Sequence, residues 1–372
     1  MEVKNDTKSS IVNEFRINYA EKVAPLFEEY EIVRQQKLGS LKCTLGIVLA
    51  ANLVIFISCS SVISDISIVM PLYILVLLSS IWFSIFIVRK STSDFCSEMK
   101  HKFMWKLLSV LAIIWKPKFE LIPNNLLVDS ELFAMYNRRT DDDVFSGVYK
   151  GVNFVVSESE MRYESGSGLR KNVKQIFDGV ILTFDTNKMI QNKTMVVTRG
   201  DLYSGVFNWK TVFVSILPLL ALVIILGIPR FVSDNDPSGF IIYGIFFIIL
   251  LPFILLGSYR PSKMNEIKLE DTEFSKKYKS YSSDEIEGRY LLTTGFMERF
   301  KNLHTAFGSN NAKCLFFKDK VFFAISTSKN VFEIGSLFAP VNSPKQVDVF
   351  LNEILSIYDL IDYFKLDEKT GL

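Results

Sequence analysis

The residues whose reading decides the architecture are 211–228, TVFVSILPLLALVIILGI, and 239–258, GFIIYGIFFIILLPFILLGS. Neither run contains Asp, Glu, Lys, Arg or His. About twenty such residues, each rising roughly 1.5 Å in a helix, cross a hydrocarbon core about 30 Å thick. Each run is therefore predicted to span a bilayer. A second pair lies upstream, Cys43–Ile63 and Ile66–Val88. The chain thus reads as a membrane protein with α-helical transmembrane hairpins, 43–88 and 211–258, plus a cytoplasmic α+β domain with a mostly antiparallel sheet. Residues 1–42 read as an N-terminal amphipathic helix, and 89–210 and 259–372 as the two halves of the α+β module.

Composition narrows the classes. Of 372 residues, the spans take roughly 80, leaving about 290 for soluble structure. A net charge of +2 gives no basic field of the kind that draws a chain to nucleic acid, so no nucleic-acid partner is expected. The mean hydropathy of +0.24 and the 32 Phe belong largely to the apolar runs. Cys43, Cys59, Cys96 and Cys314 stand at no metal or redox spacing, which fits a reducing compartment. His101 and His304 are the only histidines, which removes most zinc sites and His-based triads. The start, MEVKNDTKSS, is polar and predicts no cleavable signal peptide.

Basic flanks give an orientation, because Lys and Arg are retained on the cytoplasmic side. Arg34, Lys37 and Lys42 precede the first hairpin and Arg89, Lys90 and Lys100 come after it, while Ser64-Asp65 between its arms carry no basic residue. Arg199 and Lys210 precede the second and Arg260, Lys263 and Lys268 come after it, against Arg230 alone in its loop. Both hairpins place the termini and residues 89–210 in the cytoplasm. The expected location is a bacterial cytoplasmic (inner) membrane, multi-pass, with membrane lipid as the first partner.

From Ser9 to Lys37, Ile11, Phe15, Tyr19, Val23, Phe27, Tyr30 and Val33 recur at threes and fours, predicting one amphipathic helix bent at Pro25. It serves either as a coiled-coil partner site or, the preferred reading, packs on its own soluble body. FMWKLLSVLAIIW, 103–115, is too short to span and reads as a membrane-surface helix or a core helix. Ser130-Glu131-Leu132-Phe133 is predicted to open a short helix. Asp141-Asp142-Asp143 reads as a solvated turn rather than a cation site, since three adjacent carboxylates do not all face one ion. Strands are then predicted over VFSGVY and VNFVVSE with Lys150-Gly151 as their turn, next a mobile glycine-containing loop, then QIFDGVILTFDTN and KTMVVTR. Farther on, Ser282-Ser283-Asp284-Glu285 reads as a capped helix start. Thr294 starts another helix that Gly308 caps, KCLFFKDKVFFAIST forms a hairpin, and Pro344 opens a last amphipathic helix.

The run Lys268-Leu269-Glu270-Asp271 through Phe274, then Tyr281-Ser282-Ser283-Asp284, Glu287, Arg289-Tyr290-Leu291-Leu292-Thr293 and Phe296-Met297-Glu298-Arg299, resembles the C-terminal signature of an uncharacterised bacterial membrane-protein family. That family is filed as domain of unknown function three-one-three-seven. Ser130 with Leu132-Phe133, the strand pair at Gly147, and Phe177-Asp178-Gly179 resemble its earlier parts, so the resemblance extends over most of the chain. It implies an N-terminal helix, a membrane hairpin and a cytoplasmic α+β module, and brings with it no established enzyme activity. The chain departs from the family pattern by placing a second apolar hairpin between Arg199 and Lys268. Both ends of such an insertion lie on one side of the membrane, so the flanking halves are expected to pair into one discontinuous module.

These residues point to three functions. The first is a non-catalytic, membrane-anchored binding or scaffold protein whose cytoplasmic module recognises a lipid or another membrane or cytoplasmic protein. Ser282, Asp284, Glu285, Glu287 and Arg289 are its candidate partner-binding residues, with no cofactor and no metal expected. The second is a channel or transporter formed as a homo-oligomer, with Pro218 and Pro252 breaking the second hairpin; charge-free spans argue against an ion path. The third is an enzyme using Glu285, Glu287 and Arg289, for which an i,i+4 surface pair is the simpler account. His304 reads as a helix-surface residue rather than a base.

Overall fold

The computed structural model describes residues 2–62, 66–166, 171–186, 190–201, 264–307, 311–327 and 331–366. The second apolar hairpin at 211–258 lies outside the described residues, as do Ser64-Asp65, 167–170 of the glycine-containing loop, and Gly308. The chain divides into two compact units, Met1–Trp115 with Val331–Leu355, and Lys116–Asn330 with Ser356–Leu372.

The first unit is helical: α1 (Glu2–Lys22), α2 (Ala24–Val62) and α3 (Ile66–Ser109). The expected amphipathic helix does break near Pro25, between Lys22 and Ala24, because proline has no N–H to continue the ladder. Beyond that break the helices depart from expectation. No boundary separates the amphipathic segment from the first apolar one, and α2 runs through both. Residues 103–109 likewise form no separate helix. They are the last turns of α3, with Phe103, Met104, Leu107 and Leu108 buried and Trp105 exposed. The polar-flanked ends of these helices pack: the Phe103 ring meets Phe27 edge-on at 4.9 Å and Tyr30 at 5.2 Å. In the apolar stretch the opposite holds, and Ile47, Leu49, Leu53, Leu75, Leu78 and Trp82 all lie exposed.

A strap from the far end of the chain closes this unit. Val331, Phe332, Ile334, Leu337 and Val341 are buried within it. Arg34 joins Glu31 through two bonds of 2.8 and 2.6 Å and donates to the Leu337 carbonyl at 2.8 Å. Glu31 in turn accepts the Val341 N–H at 2.9 Å. Lys100 pairs with Glu333 at 2.7 Å. Gly335 passes so close to α3 that a Cβ there would lie 3.1 Å from Met99 Cε.

The second unit is built on a sheet of β1 (Arg138–Tyr149), β2 (Val152–Ser165), β3 (Asn172–Asp185), β4 (Thr194–Thr198), β5 (Asn265–Ile267), β6 (Tyr278–Ser282), β7 (Ala312–Phe317) and β8 (Lys320–Ser326). They lie side by side in the order β1-β2-β3-β8-β7-β4-β6-β5, each pair antiparallel. Strands from before residue 202 and after residue 263 therefore alternate in one sheet. β4 sits between β6 and β7, and β3 pairs with β8.

The hairpin turns are where the sequence puts them. Lys150 and Gly151 both take positive φ, 50° and 77°, as a two-residue primed turn requires, and Lys318 does the same at 59°. Two expectations are corrected. Ser130 ends a helix instead of opening one: α4 is Asn124–Ser130, Glu131 adopts φ 59°, and the Ser130 hydroxyl donates to the Leu127 carbonyl at 2.6 Å. The triple aspartate is no solvated turn either. It lies inside β1 at a register shift between Asp141 and Val144, with Asp141 and Asp143 buried.

Each face of the sheet has its own cover. On one, Met161, Ile176, Phe177, Met195, Leu315 and Phe322 pack with Ile122, Leu127, Leu132 and Phe133 of the α4 segment. On the other lie α7 (Thr294–Phe307) and the end of α8 (Pro344–Tyr363). Phe296 meets Phe316 at 5.5 Å, Phe364 meets Phe323 at 4.9 Å, and Tyr358 stacks on Tyr149 at 4.3 Å. The remaining helices are short, α5 (Thr272–Lys277) and α6 (Glu285–Leu291).

Candidate functional site

The five residues singled out in the sequence come together at the junction of β6 and α6, in unequal roles. Ser282 is 2% exposed and shares a 2.9 Å hydrogen bond with Thr194 of the neighbouring strand. Asp284 is the N-cap of α6, its carboxylate accepting the Glu287 N–H at 2.8 Å. Glu287 reaches out of the helix and accepts the N–H groups of Gln191 and Asn192, both at 2.8 Å. Gly288 lets the helix lie flat on the sheet edge, since a Cβ there would stand 2.5 Å from Ile267 Cδ1 and 2.8 Å from Ser282 Cβ. Glu285 and Arg289 form the expected i,i+4 pair at 2.8 Å, both well exposed. Glu287 thus fastens α6 to the loop before β4, Ser282 ties the end of β6 to β4, and Asp284 caps the helix itself. Glu285 and Arg289 remain on the surface, joined there by Ile286 and Tyr290.

A second constellation escaped the sequence reading. β7 carries Lys313 inward, in phase with Leu315, to a side chain 2% exposed. Its ammonium meets Asp201 at 2.7 Å, donates to the Leu132 carbonyl at 3.3 Å and lies 5.2 Å from the Phe133 ring centre. Burial holds the Lys313 pKa below its ordinary value, and the Asp201 charge opposes that shift. Both residues line an open cavity of about 470 Å³ with Phe177, Asp178, Asn311 and Thr327. Asp178 is held above the usual carboxylate range by burial and then by the neighbouring Glu160 charge. The following Gly179, at φ 150°, is forced by geometry: a Cβ would fall 2.1 Å from the Ile325 carbonyl oxygen. Perturbed groups in a cavity are a recognised mark of function, though buried structural ion pairs are perturbed in the same way.

One acidic grouping among the described residues brings carboxylate oxygens within 4.8 Å of one another, that of Asp142, Asp143 and Glu158. Asp141 is turned away from it, held by Arg139 at 2.7 Å and by the Ser159 hydroxyl at 2.7 Å. Three ligand atoms are few for a hard cation, which takes six to eight oxygens. All three residues also have other interactions, and the grouping is assigned no metal role.

Residues 175–366 match the model of a family described as protein of unknown function (DUF3137). The chain belongs to this family. The DUF3137 match begins in β3 at Gln175, a residue of the Lys313 cavity, and ends just past α8. It takes in β3, β8, β7, β4, β6 and β5, which are consecutive in the sheet, and leaves β1 and β2 outside at one edge. The α6 latch and the Lys313–Asp201 pair both fall within it. Ser130, Leu132-Phe133 and the Gly147 strand pair do not, so the shown DUF3137 region is shorter than the resemblance drawn from sequence. No curated protein and no solved structure matches the chain.

Proposed function

We propose that this DUF3137 protein is a non-catalytic, membrane-anchored binding or scaffold protein of a bacterial inner membrane. In this reading it is multi-pass, with both termini and the sheet unit on the cytoplasmic side. The observation that carries it is the contrast along α2 and α3. Their charged ends are packed, with Tyr30, Phe95 and Phe103 buried, while their apolar middles present Leu49, Leu53, Leu75 and Trp82 to the surroundings at 57–73% exposure. Leaving one such side chain in water instead of burying it costs about 1.5–3 kcal/mol, so a row of them calls for lipid. Among the described residues two helices are long and apolar enough for this. The basic flanks support the assigned side.

The recognition surface in this reading is the exposed side of α6, where Glu285 and Arg289 stand beside Ile286. Reporter fusions at Ser167 and after Leu372 test the anchoring: both are expected to report cytoplasm, and the chain to resist extraction by alkaline carbonate. Opposite locations for the two fusions, or release by carbonate, would overturn it. For recognition, the partner in this reading is lipid: adding phosphatidylglycerol to the full chain in mild detergent is expected to raise its melting temperature, and an Arg289→Glu variant that still melts cooperatively is expected to lose that shift, whereas an unchanged shift would overturn the assignment of this surface.

A further inference from the structure

The outer side of α6 is apolar at two positions one turn apart. Ile286 is 82% exposed and Tyr290 is 63% exposed, whereas Gly288 lies on Ile267 and Ser282, Glu287 is tied to 191–192, and Leu291 is buried. The helix therefore has no freedom to roll these two side chains inward. In sequence, the chain reaches this end of the sheet from the apolar run 239–258. From Ser258 only about seven residues lead to Asn265, a reach of roughly 25 Å at full extension. Asn265 pairs with Ser282, and α6 begins three residues beyond Ser282. The end of the sheet that receives the chain from the second apolar run is thus the end that carries α6. Arg260 and Lys263 lie in the connecting stretch, matching the negative surface of an anionic leaflet.

We propose that Ile286 and Tyr290 rest in the headgroup region of the leaflet from which the 239–258 run emerges, so that α6 docks the sheet unit on lipid. This rests on the membrane-anchored reading above. Tyrosine suits such a position, its ring in the apolar boundary and its hydroxyl in the wet layer. The neighbouring Arg289 can extend toward lipid phosphate.

The test uses the full chain in nanodiscs of phosphatidylethanolamine and phosphatidylglycerol, with a photoreactive benzoylphenylalanine placed at one position at a time. The positions are Ile286, Tyr290, Leu53 in the apolar stretch of α2, and Val173, an exposed residue of β3. After illumination, lipid adducts are read by peptide mass. The expected result is lipid adduct at 286 and 290 as at 53, about tenfold above that at 173. Lipid adduct at 53 but background at 286 and 290 overturns the docking and leaves the anchoring intact. Background at all four positions overturns the anchoring and the docking together. Adducts at 286 or 290 to a second copy of this chain, or to another protein, overturn the lipid assignment in favour of a protein interface.

Discussion

At the scale of single residues, the buried pair of Lys313 and Asp201 carries the sharpest consequence. Each side chain is 2% exposed and the charged atoms stand 2.7 Å apart, so neither charge can be left alone without a desolvation penalty. Asp201→Asn or Lys313→Met alone is expected to destabilise the chain by about 3–5 kcal/mol. The double variant Lys313→Met/Asp201→Leu is expected to recover most of that loss, because two apolar side chains of similar size leave no charge stranded. Denaturant midpoints of the purified chain in detergent measure both, and a double variant no more stable than the singles would refute the charge argument. The strand itself was legible in KCLFF. The burial of its cation was not, because the partner lies in the other half of the chain. The same blindness hid β6: its inward residues are Tyr278, Ser280 and Ser282, and serines facing a core give no apolar alternation. Ser282 faces inward because Thr194 satisfies its hydroxyl.

Among the elements, the long helices and the strap that closes them illustrate what periodicity reveals and omits. Threes and fours found the amphipathic face from Phe15 to Tyr30, and Pro25 marked the break. The change of composition between Lys37 and Cys43 reads as a boundary, yet α2 runs through it, since no breaker stands there strong enough to stop a helix. The strap at 331–343 has no period at all. It is fixed by individual bonds, chief among them those of Glu31, whose carboxyl is pulled down to about 2, first by the Arg34 guanidinium and further by the Val341 N–H. A carboxylate whose folded value lies below its ordinary 4.5 stabilises fully above that value and loses the contribution as pH falls toward 2. Glu31→Gln is accordingly expected to destabilise the chain by about 1–2 kcal/mol at neutral pH, after allowance for solvent screening. The difference from the parent chain should narrow by more than about half by pH 3. Denaturation curves of both proteins across that range check it; a gap that stays constant with pH would show that the charge of Glu31 is not what holds the strap.

For the whole molecule, the decisive property is that one sheet is drawn from two sequence regions separated by 202–263. β4 has a later strand on each side, β6 and β7, and β3 pairs with β8. A strand in that position cannot satisfy its backbone N–H and C=O groups from its own half of the chain, and burying them unpaired costs about 1–3 kcal/mol each. The 129–201 fragment is therefore expected not to fold cooperatively alone, and residues 264–372 alone are expected to lack the strand that joins β6 to β7. Cutting the chain between the two apolar runs is expected to be tolerated, because the paired strands lie at 138–198 and 265–326, on either side of the cut. Residues 1–234 and 235–372, expressed together as separate chains, should co-purify in detergent with the melting behaviour of the intact protein, and neither should survive mild proteolysis when expressed without the other. A cooperative melt of the sheet from either half by itself would mean that it does not need both, and would refute the interleaved order β3-β8-β7-β4-β6.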